Sequence, residues 1–346
     1  MLSVPRSWAE VDAAWMTRAL SRDFPGAVVG GVRIEELGEG TNRRARAHVR
    51  YHSGFGPRSV FVKREGSMRN RLALVALGAL ENEVRICDAR IALPLEHPAP
   101  YGSGCDRYRL SNVVVMEDVA LRSAKPNAAR AGLPIEEVVS GILGLARLHA
   151  AYWEGSGPGL AFLRPWRLSW YMAPVSWANL SRAMRKLHSV GHADLVPSGL
   201  TPAALDKRFR RWVRVAASAP RTLLHGDPHP GNTYLTPSGT IGFYDWQLAR
   251  FGNWSHDIGY FVASSLTASE RRENEGELLR TYLSEVANQG APAPRFEQAW
   301  ALYAKSSAFG LGAWLHAFAG GGFQTREDCL AIIERFAAAY CDHMDT

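Results

Sequence analysis

The first third of the chain alternates short β-type segments with glycine-rich turns. From Val32 to Lys63, the segments VRIEEL, RARAHVRYH and SVFVK are separated by the turns LGEGTN and SGFGPR. This pattern predicts three antiparallel strands, because β-branched and alternating residues favour strands and glycine favours turns. A second hairpin is predicted from about Pro98 to Met116, where the chain ends in the β-rich run NVVVM. We therefore expect a five-stranded antiparallel sheet.

Helical spacing occurs twice in this part of the chain, once before the first predicted strand and once between the two hairpins. Ser7–Glu10 has the form of a capping box, and apolar residues follow it at helical intervals up to Ala19. Residues 71–90 contain no proline and carry apolar side chains three or four positions apart, which predicts one helix inserted between the two hairpins.

After Met116 helical spacing dominates. Helices are predicted from Pro134, from Thr201–Pro202, and over about 270–288, 296–318 and 327–343. The strand-like segments that remain are RTLLHGD, NTYLT and IGFYDW. The fold class is therefore α+β, with a small β-rich lobe over 1–116 and a mainly helical lobe over 117–346.

Composition supports a folded globular protein. The chain has 346 residues, of which 47% are hydrophobic and 21% charged, enough to offset the entropy of ordering. Its net charge of +7 is spread along the chain, so we expect no nucleic-acid partner. Charged residues and Pro5 near the N-terminus, and the lack of a long apolar run, predict a cytoplasmic protein without a membrane segment. Four scattered cysteines suggest neither a zinc cluster nor disulfides.

One stretch carries the candidate chemistry: LLHGDPHPGNTYLTPSGTIGFYD, from Leu223 to Asp245. Phosphoryl transfer from ATP needs a carboxylate that orients the attacking hydroxyl and hard oxygen ligands that hold Mg²⁺. Asp227 suits the first role, and Asn232 and Asp245 suit the second. The predicted hairpin between Asn232 and Asp245 returns the chain to its starting point, which lets these residues meet.

This stretch resembles the catalytic and metal-binding loops of the aminoglycoside phosphotransferase and choline kinase-like superfamily, relatives of protein kinases. LARLHAAYW at 145–153, DWQ at 245–247 and HDIGYFVASSL at 256–266 are similar to its ecdysteroid-kinase-like branch. The resemblance implies a two-lobed protein-kinase-like fold and an ATP- and Mg²⁺-dependent kinase that phosphorylates a small-molecule hydroxyl. A protein kinase is disfavoured, because only eleven residues separate Asp245 from Asp257. A pseudokinase that senses nucleotide remains the alternative.

The resemblance also implies a nucleotide site in the first lobe. Lys63 would contact the α- and β-phosphates, and Glu83 would fix that lysine, with Glu81 as a competitor. In the turn LGEGTN, Gly38, Gly40 and Asn42 would bring backbone N–H groups over the phosphates. Taken alone, this turn is more typical of an ordinary hairpin. The carbonyl of Glu117 and the amide of Val119 would bind adenine.

The resemblance assigns supporting roles to residues around the catalytic loop. Asp257 would accept hydrogen bonds from the loop backbone, and His225 would brace the loop. His149 is expected to be a packed core histidine, and the basic helix face from Lys207 to Arg214 a solvated surface. His229 has no assigned role.

Aromatic residues are dense between Tyr152 and Trp177, which is typical of core packing or of an acceptor pocket for an apolar or ring-containing alcohol. Residues 151–220 carry ten Lys or Arg against three acids. A polycationic aminoglycoside would need a more acidic cleft there, so this balance disfavours such an acceptor. The acceptor itself and the oligomeric state are not indicated by the sequence.

Overall fold

The computed structural model describes residues 1–39, 42–155, 159–163 and 174–343. The chain divides into two compact units. The first unit comprises Met1–Ala92, His97–Ala124 and the short segment Asp245–Leu248. The second unit comprises Leu93–Glu96, Lys125–Tyr244 and Ala249–Thr346.

The first unit is built on one antiparallel sheet of five strands in the order β1-β2-β3-β5-β4. Helices α1, α2 and α3 belong to the same unit. Its strands are β1 (Val28–Glu39), β2 (Asn42–Ser53), β3 (Ser59–Glu65), β4 (Pro100–Asp106) and β5 (Ser111–Glu117). Its helices are α1 (Ala13–Leu20), α2 (Met68–Ala76) and α3 (Asn82–Ala89).

Strand alternation divides the side chains of β5 between two helices. Val113 and Val115 join the apolar core that includes α1, whereas Val114 and Met116 pack with Val84 and Cys87 of α3. Successive strand residues point to opposite faces, so a run such as NVVVM supplies both cores. The sheet is thereby covered on both faces near β3 and β5, which fixes their register.

The opening helix begins later than its capping box predicts. Ser7 precedes a single 3₁₀ turn over Trp8–Glu10, and its side chain caps nothing. Asp12 is the actual N-cap of α1, since its carboxylate accepts a hydrogen bond from the Trp15 N–H at 2.7 Å. A carboxylate at this position also interacts favourably with the positive end of the helix dipole.

The single helix predicted over 71–90 is wrong, because two short helices occupy this region. α2 ends at Ala76, and Gly78 adopts a left-handed φ of 65° before α3 begins at Asn82. Glycine adopts this conformation without steric cost, so the chain turns here.

The second unit is mainly helical. The helices predicted from Pro134, from Thr201–Pro202 and over about 270–288, 296–318 and 327–343 are confirmed. Two further helices, Pro174–Ser189 and Ser255–Ser265, were not predicted. The helices are α4 (Ile135–Ala151), α5 (Pro174–Ser189), α6 (Pro202–Ala217), α7 (Ser255–Ser265), α8 (Ala268–Asn288), α9 (Phe296–Gly320) and α10 (Arg326–Asp342). Every residue of α7 is buried. A helix buried on every side has no solvent-facing side, so its apolar residues need not form a stripe with a 3.6-residue period, and the pattern did not reveal it.

Short strands in the second unit carry the candidate catalytic stretch. β6 (Lys125–Pro126), β8 (Thr233–Leu235) and β9 (Ile241–Phe243) form one sheet, and β7 (Thr222–Leu224) pairs with β10 (Arg250–Gly252). The three strand-like segments predicted in this lobe are confirmed. The predicted α+β class, with a five-stranded antiparallel sheet and a mostly helical remainder, is confirmed as well.

None of the helices in the described ranges combines the length and the apolar character needed to cross a membrane.

Candidate active site

Lys63 lies at the centre of a buried ion cluster in the first unit. β3 places it beside the start of α3, and its Nζ donates to Glu83 Oε2 at 2.7 Å and to Asp245 Oδ1 at 2.6 Å. Lys63 is only 5% exposed and Glu83 8%. Burial alone would lower the pKa of Lys63, but the carboxylates of Asp245 and Glu83 raise it above its ordinary value. The lysine is therefore a fixed ammonium ion, and Glu83, rather than Glu81, is its helix partner.

Glu81 faces elsewhere. Its carboxylate accepts a hydrogen bond from Arg107 Nη2 at 2.7 Å and lies 3.7 Å from Arg85 Nε. The two acids of the sequence ENEVRI are thus separated by the helix geometry: one is buried on the lysine and the other pairs with arginines at the surface.

The segment Asp245–Leu248 is anchored within the first unit. The Trp246 N–H donates to Glu83 Oε1 at 3.2 Å, and the Gln247 carbonyl accepts from Asn82 Nδ2 at 3.2 Å. Asp245 has a left-handed φ of 67°, a strained conformation for a non-glycine residue that these anchors maintain. Its side chain is 30% exposed. The arrangement holds one carboxylate oxygen on Lys63 and keeps the group accessible.

The structure describes the glycine turn LGEGTN except for residues 40 and 41. Gly38 has a φ of 78°, and nothing lies within 4 Å of the position that a Cβ would take. Gly40 lies outside the described residues. Asn42 is buried, and its Nδ2 donates to Gln247 Oε1 at 2.9 Å, so its side chain ties β2 to the Asp245–Leu248 segment.

The end of β5 carries the predicted adenine-binding backbone. Glu117 closes the strand, and its own N–H donates to the Ala99 carbonyl at 2.8 Å. Val119 opens a 3₁₀ turn, whose first N–H groups have no partner within the turn.

Asp118, between them, was not singled out from the sequence. It is 4% exposed, and its Oδ2 accepts from Arg46 Nε and Ser59 Oγ, both at 2.6 Å. Burial alone would raise the pKa of Asp118, but the hydrogen bonds from Arg46 and Ser59 hold it below its ordinary value. This carboxylate fixes the backbone on either side of it.

In the second unit, the catalytic stretch is a tight loop between β7 and β8. Asn232 Nδ2 donates to the Asp227 carbonyl at 2.9 Å and to Asp227 Oδ2 at 3.2 Å. Asp227 remains 26% exposed at its side chain. The Tyr244 N–H donates to the Asn232 carbonyl at 3.1 Å, so the β8–β9 hairpin does return the chain to the loop, one residue before Asp245. Asp245 itself belongs to the first unit.

The loop backbone is held by Asp257 of α7, as predicted. Its Oδ2 accepts from the His225 N–H at 2.7 Å, and its Oδ1 accepts from the Gly226 N–H at 3.0 Å. His149 Nε2 lies 3.3 Å from Oδ2, while Tyr282 donates its hydroxyl proton to His149 Nδ1 at 2.9 Å. Burial alone would raise the pKa of Asp257, but the hydrogen bond from His149 and the neighbouring histidines hold it below its ordinary value. His149 is fully buried, as expected, and takes part in this network.

Two histidines flank Asp227. His225 Nδ1 accepts from the Asp227 N–H at 3.3 Å, so its Nε2 is the donor to the Tyr244 carbonyl at 3.0 Å. His229 Nδ1 accepts from the Gly231 N–H at 3.1 Å, which leaves the proton on Nε2, 3.7 Å from Asp227 Oδ2. The His229 ring is 1% exposed and packs edge-on against Trp314 at 5.1 Å between centroids. A donor locked beside the candidate catalytic carboxylate gives His229 a position that the sequence left unexplained.

Hard oxygen donors are present for a magnesium ion. Because the amide nitrogen of Asn232 donates to Asp227, its oxygen is the atom left for a cation, and Asp245 offers a partly exposed carboxylate. Among the described residues, no group of three or more His, Cys, Asp or Glu side chains is arranged to hold a metal ion. Mg²⁺ is commonly bound by one or two carboxylates together with substrate phosphates, so a carboxylate such as Asp245 can serve without such a group.

The aromatic cluster is only partly described. Tyr152 and Trp153 are buried, while Trp177 is 54% exposed. Trp166, Trp170 and Tyr171 lie outside the described residues.

Comparison with known proteins gives one family and several similar folds. A model of the phosphotransferase enzyme family matches residues 48–300. Among solved structures, choline kinase LicA from Streptococcus pneumoniae has a TM-score of 0.53 at 14% identity and covers 98% of this chain and 100% of its own. The structure of LicA in complex with AMP has a TM-score of 0.50 at 14% identity, with 96% and 97% covered. An aminoglycoside-3'-phosphotransferase of type VIII has a TM-score of 0.44 at 22% identity, with 86% and 98% covered. No curated protein sequence matches the chain.

The two LicA likenesses cover nearly the whole chain and show a shared fold. The family model over residues 48–300 confirms the superfamily that the catalytic stretch resembles.

Proposed function

This chain belongs to the phosphotransferase enzyme family, and we propose that it transfers the γ-phosphoryl group of ATP to a hydroxyl group of a small molecule. The observation that carries the proposal is the buried Lys63 ammonium, held by both Glu83 and Asp245. A desolvated lysine on two carboxylates is the arrangement that phosphoryl transfer uses to position nucleotide phosphates.

Lys63 exchanges partners when nucleotide binds. Without nucleotide, the ammonium ion neutralises Asp245 at 2.6 Å. A nucleotide phosphate offers Lys63 a new anion, and the cation that accompanies the phosphates offers Asp245 a new counter-ion. Both charges therefore stay compensated during binding, which is necessary because an unpaired charge in this buried position would be costly.

Asp227 accepts the proton of the acceptor hydroxyl and orients its oxygen toward the γ-phosphorus. The amide of Asn232 fixes the Asp227 carboxylate, and the Nε2–H of His229 lies 3.7 Å from it. Asn232 and Asp245 would hold magnesium, which neutralises charge on the phosphates when it is bound. Lys63 stabilises the negative charge that develops on the transferred group.

The backbone of the first unit binds the rest of the nucleotide. The carbonyl of Glu117 and the amide of Val119 bind adenine, supported by Asp118, which fixes this segment through Arg46 and Ser59. Gly38 and Gly40 let the turn between β1 and β2 approach the phosphates, because glycine has no side chain to block them. Asn42 supports this turn through Gln247.

The acceptor is a small alcohol that is not polycationic. Residues 151–220 carry ten basic and three acidic residues, a balance that would repel a ligand with several ammonium groups. The aromatic residues around Tyr152 and Trp153 favour an apolar or ring-containing alcohol.

The experiment that tests this proposal follows the γ-phosphoryl group. The protein is incubated with magnesium, γ-labelled ATP and pools of small alcohols, including an aminoglycoside pool, and labelled products are identified by mass spectrometry. Asp227→Asn is the catalytic variant, and Asp194→Asn is its matched control, because Asp194 is exposed and loses the same charge.

A labelled alcohol formed by the parent and by Asp194→Asn, and absent with Asp227→Asn, supports the proposal. Binding of Mg·ATP without label transfer to any pool would instead favour a nucleotide-sensing pseudokinase. Tight binding and phosphorylation of a polycationic aminoglycoside would refute the acceptor class.

A further inference from the structure

A basic cavity lies within the second unit, between α6, α9 and α10. Its volume is about 310 Å³, the size of a small-ligand site. Four cationic side chains line it: Lys207, Arg208 and Arg211 of α6 and Lys305 of α9. None of these residues belongs to the candidate active site.

Three of the four cations of this cavity have no carboxylate partner among the described residues. Within the described ranges, no acidic side chain pairs with Lys207, Arg211 or Lys305. Arg210 on the same helix pairs with Asp206 at 2.7 Å, so a cation of α6 does form an ion pair where an acidic residue lies one turn away. Lys207 and Arg211 are four residues apart on one helix face, where like charges repel each other. An anion in the cavity would relieve this repulsion.

Two residues of the cavity lining also carry a buried ring nitrogen without a hydrogen-bond partner among the described residues. Trp212 is 2% exposed and His343 8%, and neither Trp212 Nε1 nor His343 Nδ1 has a hydrogen-bond partner among the described residues. The indole N–H is a donor only, so an acceptor is what it lacks. His343 places its other ring nitrogen 3.2 Å from Glu275 Oε1, which makes that nitrogen the donor and leaves Nδ1 as the acceptor of the neutral ring. Buried donors without acceptors are rare in folded proteins and call for an explanation.

An aromatic ring of the cavity lining supports one of its cations. Arg208 stacks over the Tyr340 ring, with its Cζ 5.3 Å from the ring centroid, and Tyr340 is 3% exposed. A guanidinium held in this way keeps its N–H groups oriented, which favours the planar two-oxygen recognition of phosphate or carboxylate groups.

We propose that this cavity binds the oxyanion group of a small molecule, a phosphate or a carboxylate, between Lys207, Arg211 and Lys305, with the Trp212 ring in the same lining. The cavity dimensions fit a small ligand rather than a polymer. The basic face of α6, expected from the sequence to be a solvated surface, is on this proposal one wall of an anion site.

The test measures binding of simple anions. Sodium phosphate, sodium sulfate and sodium succinate are titrated into the full chain by calorimetry at constant ionic strength. Arg211→Gln and Lys305→Gln each remove one lining charge. Arg214→Gln is the matched control, because Arg214 is an exposed arginine of α6 that does not line the cavity. The Trp212 indole N–H is followed by NMR and assigned with Trp212→Phe.

We expect the dissociation constant for phosphate to rise about tenfold in Arg211→Gln and in Lys305→Gln, while Arg214→Gln stays within about twofold of the parent. The indole signal of Trp212 should shift as phosphate saturates. Tighter binding of phosphate or sulfate than of succinate identifies a phosphate-type group, and the reverse identifies a carboxylate.

Parental phosphate affinity in both lining variants, the result expected if phosphate binds only at the nucleotide site, would overturn the proposal. An indole signal that stays fixed at saturation, or the absence of saturable binding of every anion, would overturn it too.

Discussion

Replacing Asp257 by asparagine should loosen the catalytic loop while keeping the size of the side chain. Asp257 is fully buried and accepts the N–H groups of His225 at 2.7 Å and Gly226 at 3.0 Å, one with each carboxylate oxygen. Asparagine has only one acceptor oxygen. Its amide group must therefore face one of these N–H groups, donor against donor.

The magnitude follows from these two contacts. A hydrogen bond to a charged group contributes about 1.5–3 kcal/mol, and an unsatisfied buried N–H costs about 1–3 kcal/mol. Since the two effects overlap, we expect a local loss of about 2–4 kcal/mol, which corresponds to roughly 30- to 700-fold at about 1.4 kcal/mol per factor of ten.

Hydrogen–deuterium exchange measures this loss at the loop itself. The amides of His225 and Gly226 should lose protection by the stated factor in Asp257→Asn, and phosphotransfer should fall. Asp194→Asn is the matched control, since it removes one exposed carboxylate. Protection of both amides within about threefold of the parent would refute the assignment of Asp257 as the anchor of the loop.

Further predictions concern the nucleotide cluster, His229 and acid stability. Glu83→Gln should weaken ATP binding, measured by calorimetry, about tenfold or more, because Lys63 loses a charged partner. Glu81→Gln should bind ATP as the parent does, because Glu81 pairs with arginines at the surface. Equal loss of ATP affinity in both variants would contradict the assignment of Glu83 to the Lys63 cluster. His229→Phe should lower kcat about tenfold with little change in the KM for ATP, and His229→Gln should restore part of the rate. An unchanged kcat in His229→Phe would contradict the role of His229 in positioning Asp227. The folded-state pKa of Asp257 is below its ordinary value of 3.8, so its stabilisation is present above that pH and is lost as the pH falls through the folded pKa. Acid unfolding followed by circular dichroism should therefore have a shallower pH dependence in Asp257→Asn, and parallel curves would count against this prediction.

The local pattern of polar and apolar residues was sufficient to predict elements that pack one face against one core. The five strands of the first unit follow from alternation and turn residues, and Thr201 caps α6 as its sequence predicts. Pattern failed where tertiary contacts decide. α7 is buried on all sides, and Gly259 meets Ser306 so closely that a larger residue would not fit, which no periodicity reveals. The two-residue strand β6 exists only because β8 provides its partner.

The residues of the candidate site also fall into those that the sequence indicated and those that only tertiary contacts reveal. The pairing of Lys63 with Glu83 and the anchoring of the loop by Asp257 were implied by the family resemblance, and the contacts agree with it. Asp118 and His229 lacked such a motif, although each stands directly beside a residue that had one. Their importance comes from partners distant in sequence, Arg46 for Asp118 and Trp314 for His229. The lobe boundary at 116 and the chemical roles of the site residues stay predictions.

The most direct test of the proposed phosphotransfer separates nucleotide binding from turnover. Mg·ATP binding is measured by calorimetry, and phosphoryl transfer by ³¹P NMR, for the parent, Asp227→Asn and Asp245→Asn. The account predicts that Asp227→Asn binds Mg·ATP as the parent does but transfers no phosphoryl group, whereas Asp245→Asn loses Mg·ATP affinity itself. Phosphoryl transfer by Asp227→Asn at the parental rate would contradict the account.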